Sequence, residues 1–296
     1  MKYFSYIMYA AIVLIAASFN CQAQERPIYT QYMFNETAFN PAYTGSPERL
    51  SITGLYRKQW VGIDGAPTTQ TVSIHSPINK QSMALGLQVL NDVIGVSSRA
   101  EAKSMFAYRI RFNETSKLSF GIQAGIRWYD EDFSMLYDEL MDSDFSESIK
   151  SSKFLFGTGV YYHTERFYVG ASAPAIHTKF SAKNHIFITS GYVMDIGSQL
   201  KLKPNFLLKL ADNAPVSYDL NANLLIQEMI WFGVSYRSRE SIGLLTQLQL
   251  TEKLAFGYSF DLPVGGISPY GQGSHELSLN YTLQLPTIAY KCPRYF

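Results

Sequence analysis

Lys117 to Trp128, KLSFGIQAGIRW, alternates without a break: Leu118, Phe120, Ile122, Ala124, Ile126 and Trp128 on one side, Lys117, Ser119, Gly121, Gln123, Gly125 and Arg127 on the other. A period of two predicts a strand with one apolar and one polar face. Leu254, Phe256, Tyr258 and Phe260 alternate in the same way with Lys253, Gly257, Ser259 and Asp261. So do Leu277, Leu279, Tyr281, Leu283 and Leu285 with Glu276, Ser278, Asn280, Thr282 and Gln284. At a rise of about 3.3 Å per residue, strands of this length cross a hydrocarbon layer when tilted by about 45°. The pattern predicts an all-β fold: a single transmembrane antiparallel β-barrel of about 14 strands, apolar outside and polar in its lumen.

The connections between these runs alternate in length. Pro77–Gln81, Asn113–Ser116, Thr164–Glu165, Ile196–Gln199, Gln227–Met229 and Thr251–Lys253 are short. Gln59–Pro67, Asn91–Ser98, Asp130–Lys153, Pro174–Asn184, Ala211–Pro215, Arg237–Ser241 and Leu262–Gly273 are mostly longer. Outer-membrane barrels have short periplasmic turns and longer extracellular loops, so the short set is expected in the periplasm. Trp128 and Tyr129 at the outer end of one strand, and Trp231 and Phe232 at the inner end of another, are expected to form aromatic belts. Glycines inside the runs, among them Gly157, Gly159, Gly170, Gly233 and Gly257, are expected to mark bends or close backbone approaches.

Composition sharpens this picture. Mean hydropathy is only −0.06 although 15% of the residues are aromatic, because polar and apolar residues are interleaved. The 296 residues carry 25 Lys and Arg against 24 Asp and Glu, and Lys2 is the only charged residue among the first 23. The remainder is formally neutral, which argues against a nucleic-acid partner. Lys2, the apolar run Tyr6–Ala17 and Cys21-Gln22-Ala23 read as a secretory signal cleaved before Gln24, with a lipidated Cys21 as the alternative. Cleavage there leaves Cys292 as the one thiol, so neither an internal disulfide nor a cysteine metal site is expected. Beyond residue 23 no apolar run is long enough for a membrane helix, and a chain that spans without helices must close into a barrel.

The division that follows is residues 1–23 as signal, 24–49 as a periplasmic or lumen-plugging segment, 50–285 as barrel and 286–296 as a periplasmic tail. Residues 24–49 hold Tyr29, Tyr32, Phe34, Phe39 and Tyr43 with turn signals at Asn40-Pro41 and Gly45-Ser46-Pro47. They read as an ordered plug, as a docking segment, or as an extension packed on the wall. Gly62 and Gly65 suit positive φ in the loop after Trp60, and Trp60 fits either an interfacial girdle or a partner contact. Pro286 stops the last strand, and the tail ends in Arg294, Tyr295 and Phe296. That tail reads as a periplasmic or intraluminal docking element, unless the last strand lies further along.

Several stretches carry a family resemblance: Gln31-Tyr32-Met33-Phe34-Asn35, Asn40-Pro41-Ala42-Tyr43-Thr44-Gly45, Tyr56-Arg57-Lys58-Gln59-Trp60-Val61-Gly62 and Asp64-Gly65-Ala66-Pro67-Thr68-Thr69-Gln70-Thr71. Together they resemble the N-terminal signature of the PorP/SprF family, outer-membrane components associated with type IX secretion in Bacteroidota. The likeness continues through Asn91-Asp92, Tyr108-Arg109, Phe167-Tyr168-Val169-Gly170, Trp231, Tyr236-Arg237, Asp261 and Ser274-His275-Glu276. It implies a barrel in the outer membrane that serves secretion or gliding. Its implied partners are a secreted surface-protein cargo, periplasmic and outer-membrane components of the system, and lipid. Tyr32, Phe34, Asn40, Pro41, Tyr43, Trp60, Asp64, Arg294, Tyr295 and Phe296 are the candidate partner-binding residues.

No catalytic chemistry is legible. His75, His163, His177, His185 and His275 lack metal-ligand spacing, and there is no phosphate-cradling loop or nucleophile elbow. Asp219 and Glu276 face the lumen as a conceivable carboxylate pair, but no nucleophile and base accompany them. The acidic run from Asp130 to Glu147 offers hard oxygen ligands without the twelve-residue, glycine-turned loop of a calcium site, so it reads as a solvated loop. No cofactor and no enzymatic activity are expected. The rival function is a passive porin or small-solute channel. Lys117, Gln123, Arg127, Asp219, Asn221, Asn223, Glu276 and Asn280 should face the lumen under either function.

Overall fold

The computed structural model describes residues 27–78, 82–133, 148–176, 184–212 and 214–284. The expected signal at residues 1–23, most of the acidic loop, and the tail with Arg294, Tyr295 and Phe296 lie outside the described residues.

Among the described residues, fifteen strand segments form one sheet. They are β1 (Leu50–Lys58), β2 (Thr68–Ile78), β3 (Met83–Ile94), β4 (Ser97–Arg111), β5 (Lys117–Asp132), β6 (Ser148–His163), β7 (Phe167–Ile176) and β8 (His185–Tyr192). The chain continues through β9 (Met194–Asp195), β10 (Leu200–Ala211), β11 (Ser217–Ile226), β12 (Ile230–Arg237), β13 (Ser241–Gln249), β14 (Leu254–Pro263) and β15 (Ser274–Leu283). Because β8 and β9 both pair with β10 and are separated only by Val193, the wall has 14 antiparallel strands. β1 closes on β15 from Leu50 opposite Leu283 to Lys58 opposite His275. Closure leaves no edge and satisfies the backbone within the wall, the condition for crossing a bilayer without helices.

Alternation decides which side of each strand faces which medium, and burial follows the sequence parity. Val72, Ile74, Leu85, Leu87, Val89, Phe120, Ile122, Leu244 and Leu279 are exposed on the outer wall, while Lys117, Ser119, Gln123, Arg127, Asp219, Asn221, Asn223 and Glu276 are buried inside. This inversion of a soluble core is what a lipid solvent demands. One expected belt residue departs from it: Trp231 points into the barrel at 7% exposure, and its neighbour Phe232 faces outward. Parity explains the correction, since Trp231 shares its face with Ser235 and Arg237.

Several connections are tighter than expected, among them Asp130–Lys153, where β5 runs on to Asp132 and β6 already begins at Ser148. β3 and β4 run on to a two-residue turn at Gly95-Val96, with Gly95 at φ 55°. β7 extends through Pro174 to Ile176, with a register irregularity against β8 between Ser172 and Ala175. A bulge is where a strand tolerates a residue with no amide hydrogen. The Trp60 loop is ordered as expected, with Trp60, Gly62 and Gly65 at φ 44°, 94° and 71°.

Residues 29–48 lie inside the barrel, where single 3₁₀ turns at Tyr32–Phe34, Glu36–Ala38 and Pro41–Tyr43 fold them compactly. Tyr32, Gln31, Ala42 and Thr44 are fully buried there. The wall makes room by omitting side chains. A Cβ at Gly121 would overlap the backbone of Pro41 and Ala42, and one at Gly159 would overlap the Asn40 side chain.

Three substitutions test this arrangement by urea titration in lipid vesicles. Ile122→Arg, on the lipid face near mid-strand, is expected to cost about 2–4 kcal/mol. Gly121→Val is expected to cost about 1–3 kcal/mol by overpacking the luminal segment, while Gly54→Ala, with nothing within 4 Å of its added Cβ, stays within about 0.5 kcal/mol. Equal costs for the two glycines would contradict the luminal packing.

Candidate functional site

The candidate site is the filled lumen together with the two mouths that it separates. Its outer half is organised by Glu276 at the start of β15. One Glu276 oxygen accepts the Thr30 amide at 2.9 Å and the other accepts the Gln31 amide at 2.8 Å, so the carboxylate grips two successive backbone groups. Arg57 of β1 donates to Glu276 at 3.0 Å, to Asp261 of β14 at 2.7 Å and to the Thr30 hydroxyl at 2.9 Å. Thr30 in turn donates to Asp261, and Ser278 donates to the Gln31 side chain at 2.9 Å. All three charged groups are at most 2% exposed. Charges so desolvated persist only when paired, and removing one partner of such a cluster costs about 3–5 kcal/mol.

Further along, aromatic packing takes over. Phe39 meets Tyr29, Tyr32 and Phe187 edge-on at ring separations of 5.7, 6.5 and 5.2 Å. Tyr43 meets Tyr161 at 5.4 Å and His75 at 5.9 Å. Asn40 caps the third 3₁₀ turn by accepting the Ala42 amide at 2.9 Å and donates to the Val160 carbonyl at 3.0 Å, with Pro41 preset for the first helical position. Phe34 lies 6.0 Å from Trp231, and the Lys203 ammonium is within 6 Å of the Phe34, Tyr168 and Trp231 rings. Glu36 is buried in the same region. Burial pushes its carboxyl above the usual carboxylate range, against the opposing pull of Lys203 and of the Tyr168 and Tyr161 hydroxyls.

At the short-turn end, Glu48 pairs with Lys117 at 2.6 Å and Arg111 at 3.4 Å, and Arg109 donates to the Thr44 carbonyl at 3.3 Å. The Gly45 amide donates to His75 at 3.1 Å. Residues 29–48 are thus tied to the wall from the outer half of β1, β14 and β15 to the periplasmic half of β2, β4 and β5.

The candidate partner residues therefore fall into three groups. Tyr32, Phe34, Asn40, Pro41 and Tyr43 come together inside the lumen, and the contacts they make are with the barrel itself. Trp60 and Asp64 sit at the long-loop mouth. There the Trp60 amide donates to Ser274 at 3.1 Å, the Val61 amide donates to the Gly273 carbonyl at 2.8 Å, and Asp64 is exposed. Arg294, Tyr295 and Phe296 lie outside the described residues. The lumen carboxylates are each held by bases: Asp219 by Lys209 at 2.6 Å and Arg237 at 3.2 Å, and Glu276 by Arg57 at 3.0 Å.

Sequence reasoning missed Leu55, Phe187, Leu207 and Leu245, which face inward and pack with Tyr29, Tyr32, Met33 and Phe39. The signal was present. Each is an apolar residue at a lumen-parity position, as Leu55 is between Thr53 and Arg57 and Leu207 between Asn205 and Lys209. In a water-filled barrel such residues would face water; here they face a segment of the chain.

The profile of the family described as "Type IX secretion system membrane protein PorP/SprF" matches residues 21–281. No curated protein matches the sequence. Among solved structures, the Ralstonia pickettii toluene transporter TbuX is similar with a TM-score of 0.52 at 9% identity, over 87% of this chain and 94% of that one. The Acinetobacter baumannii outer membrane protein Omp33 gives a TM-score of 0.47 at 12% identity, over 80% and 98% of the two chains. At these identities TbuX supports the barrel fold alone. A closed barrel with an apolar outer wall, in a family of secretion-system membrane proteins, is an outer-membrane protein. With the family profile spanning most of its length, the chain belongs to the PorP/SprF family of type IX secretion system membrane proteins.

Proposed function

We propose that the chain is a plugged outer-membrane barrel that holds partners of the type IX secretion and gliding machinery. In this role it binds a secreted surface protein, helps to export or anchor it, and contacts periplasmic components. The observation that carries this reading is the occupied lumen: residues 29–48 fill it and are tied to the wall by buried ion pairs and hydrogen bonds at both ends. A passive porin needs a continuous aqueous path, and that space is taken by Tyr32, Met33, Phe39 and Tyr43. Family membership supports the choice of machinery, and no reaction is assigned to the chain.

In this role Tyr32, Phe34, Asn40, Pro41 and Tyr43 act by holding the plug in place. The surfaces left for partners are the two mouths. Trp60 and Asp64 belong to the outer one, and Arg294, Tyr295 and Phe296 are assigned to the periplasmic side.

The test is affinity purification from mildly detergent-solubilised membranes, with mass spectrometry of what accompanies the barrel, beside a version lacking residues 287–296. A large secreted surface protein and periplasmic secretion components are expected with the full chain, and their loss on truncation would assign docking to the tail. A barrel recovered alone would contradict the platform role.

A further inference from the structure

Beneath the plug, at the short-turn end, a cavity of about 140 Å³ is walled by plug residues on one side and by β1 and β12–β15 on the other. Phe34 and Trp231 provide an apolar wall, with Met33 and Ala255 alongside. The unpartnered polar atoms of its lining are donors. Among the described residues, Asn35 Nδ2, Asn280 Nδ2 and Ser51 Oγ are buried there without a hydrogen-bond partner. The oxygens of the two amides each have a partner: Asn280 Oδ1 accepts from Thr53 at 2.8 Å and Asn35 Oδ1 from Ser73 at 3.4 Å. What remains is two amide donors and a hydroxyl. Asn35 is 3% and Ser51 6% exposed, so each unmade bond carries a desolvation cost that an acceptor-bearing ligand would relieve. Arg49 and Lys253 also line the cavity, against a single Glu252, so the local charge favours an anion.

We propose that this periplasm-facing cavity binds a carboxylate carried on a small apolar body, its oxygens on Asn35, Asn280 and Ser51 and its apolar part against Phe34 and Trp231. That chemistry belongs both to the C-terminus of a polypeptide ending in an apolar residue and to a free branched-chain acid. The inference stands on the cavity alone and goes beyond the platform reading.

The full-length protein in detergent, with Trp60→Phe and Trp128→Phe to leave Trp231 as the reporter, is titrated with N-acetylleucine, N-acetylleucinamide, isovalerate and a hexapeptide ending in leucine. The acid is expected to perturb Trp231 emission saturably and to bind at least about tenfold more tightly than its amide, the difference set by charge-assisted hydrogen bonds. Ser51→Ala removes one hydroxyl from the wall and is expected to weaken the acid by about tenfold while the heat-modifiable gel shift of the folded barrel is retained. Tighter binding of the hexapeptide than of isovalerate supports the proposal and assigns the natural occupant to a chain terminus; equal binding supports it and assigns a free acid. Equal affinity for acid and amide, no saturable change with any probe, or a folded Ser51→Ala protein that binds the acid unchanged would each overturn it.

Discussion

The grip of Glu276 on the Thr30 and Gln31 amides, held by Arg57 and shared with Asp261, is the interaction on which the rest of the structure depends. A barrel of this size must do something with its interior, and a wall lined by charged residues has two options: hydrate them or pair them. Here they are paired. Arg57 reaches both Asp261 and Glu276, and Asp219 is held by Lys209 and Arg237. Glu101 is held by Arg127 at 2.6 Å, within reach of Arg99 and Lys103. Buried pairs of this kind add little net stability but strongly penalise any arrangement that separates them. They therefore fix where residues 29–48 sit more than they strengthen the fold.

From that constraint the remaining features follow. The plug brings its own aromatic core, so the wall must offer apolar patches at Leu55, Phe187, Leu207 and Leu245 and aromatic partners at Tyr161 and Tyr168. It also brings backbone close to the wall, which is why Gly121 and Gly159 carry no side chain at the points of contact with Pro41, Ala42 and Asn40. Edge-to-face ring pairs such as Phe39 with Phe187 each contribute about 0.5–1.5 kcal/mol beyond their buried area. The wall and the segment it encloses are complementary along most of its course, apart from the cavity beneath Phe34 and Asn35.

Much of the wall was legible in the sequence because a strand in lipid has only two faces. The parity of Lys117–Trp128 alone assigns inside and outside along β5, and the same reading placed Asn221, Asn223 and Glu276 in the lumen. Alternation of loop lengths brought the antiparallel order with it. What parity does not carry is the content of the lumen. Trp231 looked like a belt residue because tryptophan is common at membrane interfaces, yet its parity with Ser235 and Arg237 already pointed inward. The tight turn at Gly95-Val96 and the continuation of β7 through Pro174 were hidden for a local reason: glycine and proline mark breaks in most strands, and here they sit within a turn and at a bulge. Among the candidate partner residues, aromatic density between Tyr29 and Tyr43 signalled an ordered segment without telling which surface it would cover.

The proposed platform role requires that a barrel whose interior is occupied by its own chain pass no solutes. Current recording in planar bilayers tests that account most directly, comparing the intact protein with a version lacking residues 29–48. With its lumen filled, the intact protein, once inserted, is expected to be silent, and the shortened barrel to conduct in steady steps. Steady conductance by the intact protein, equal to that of the shortened one, would contradict it.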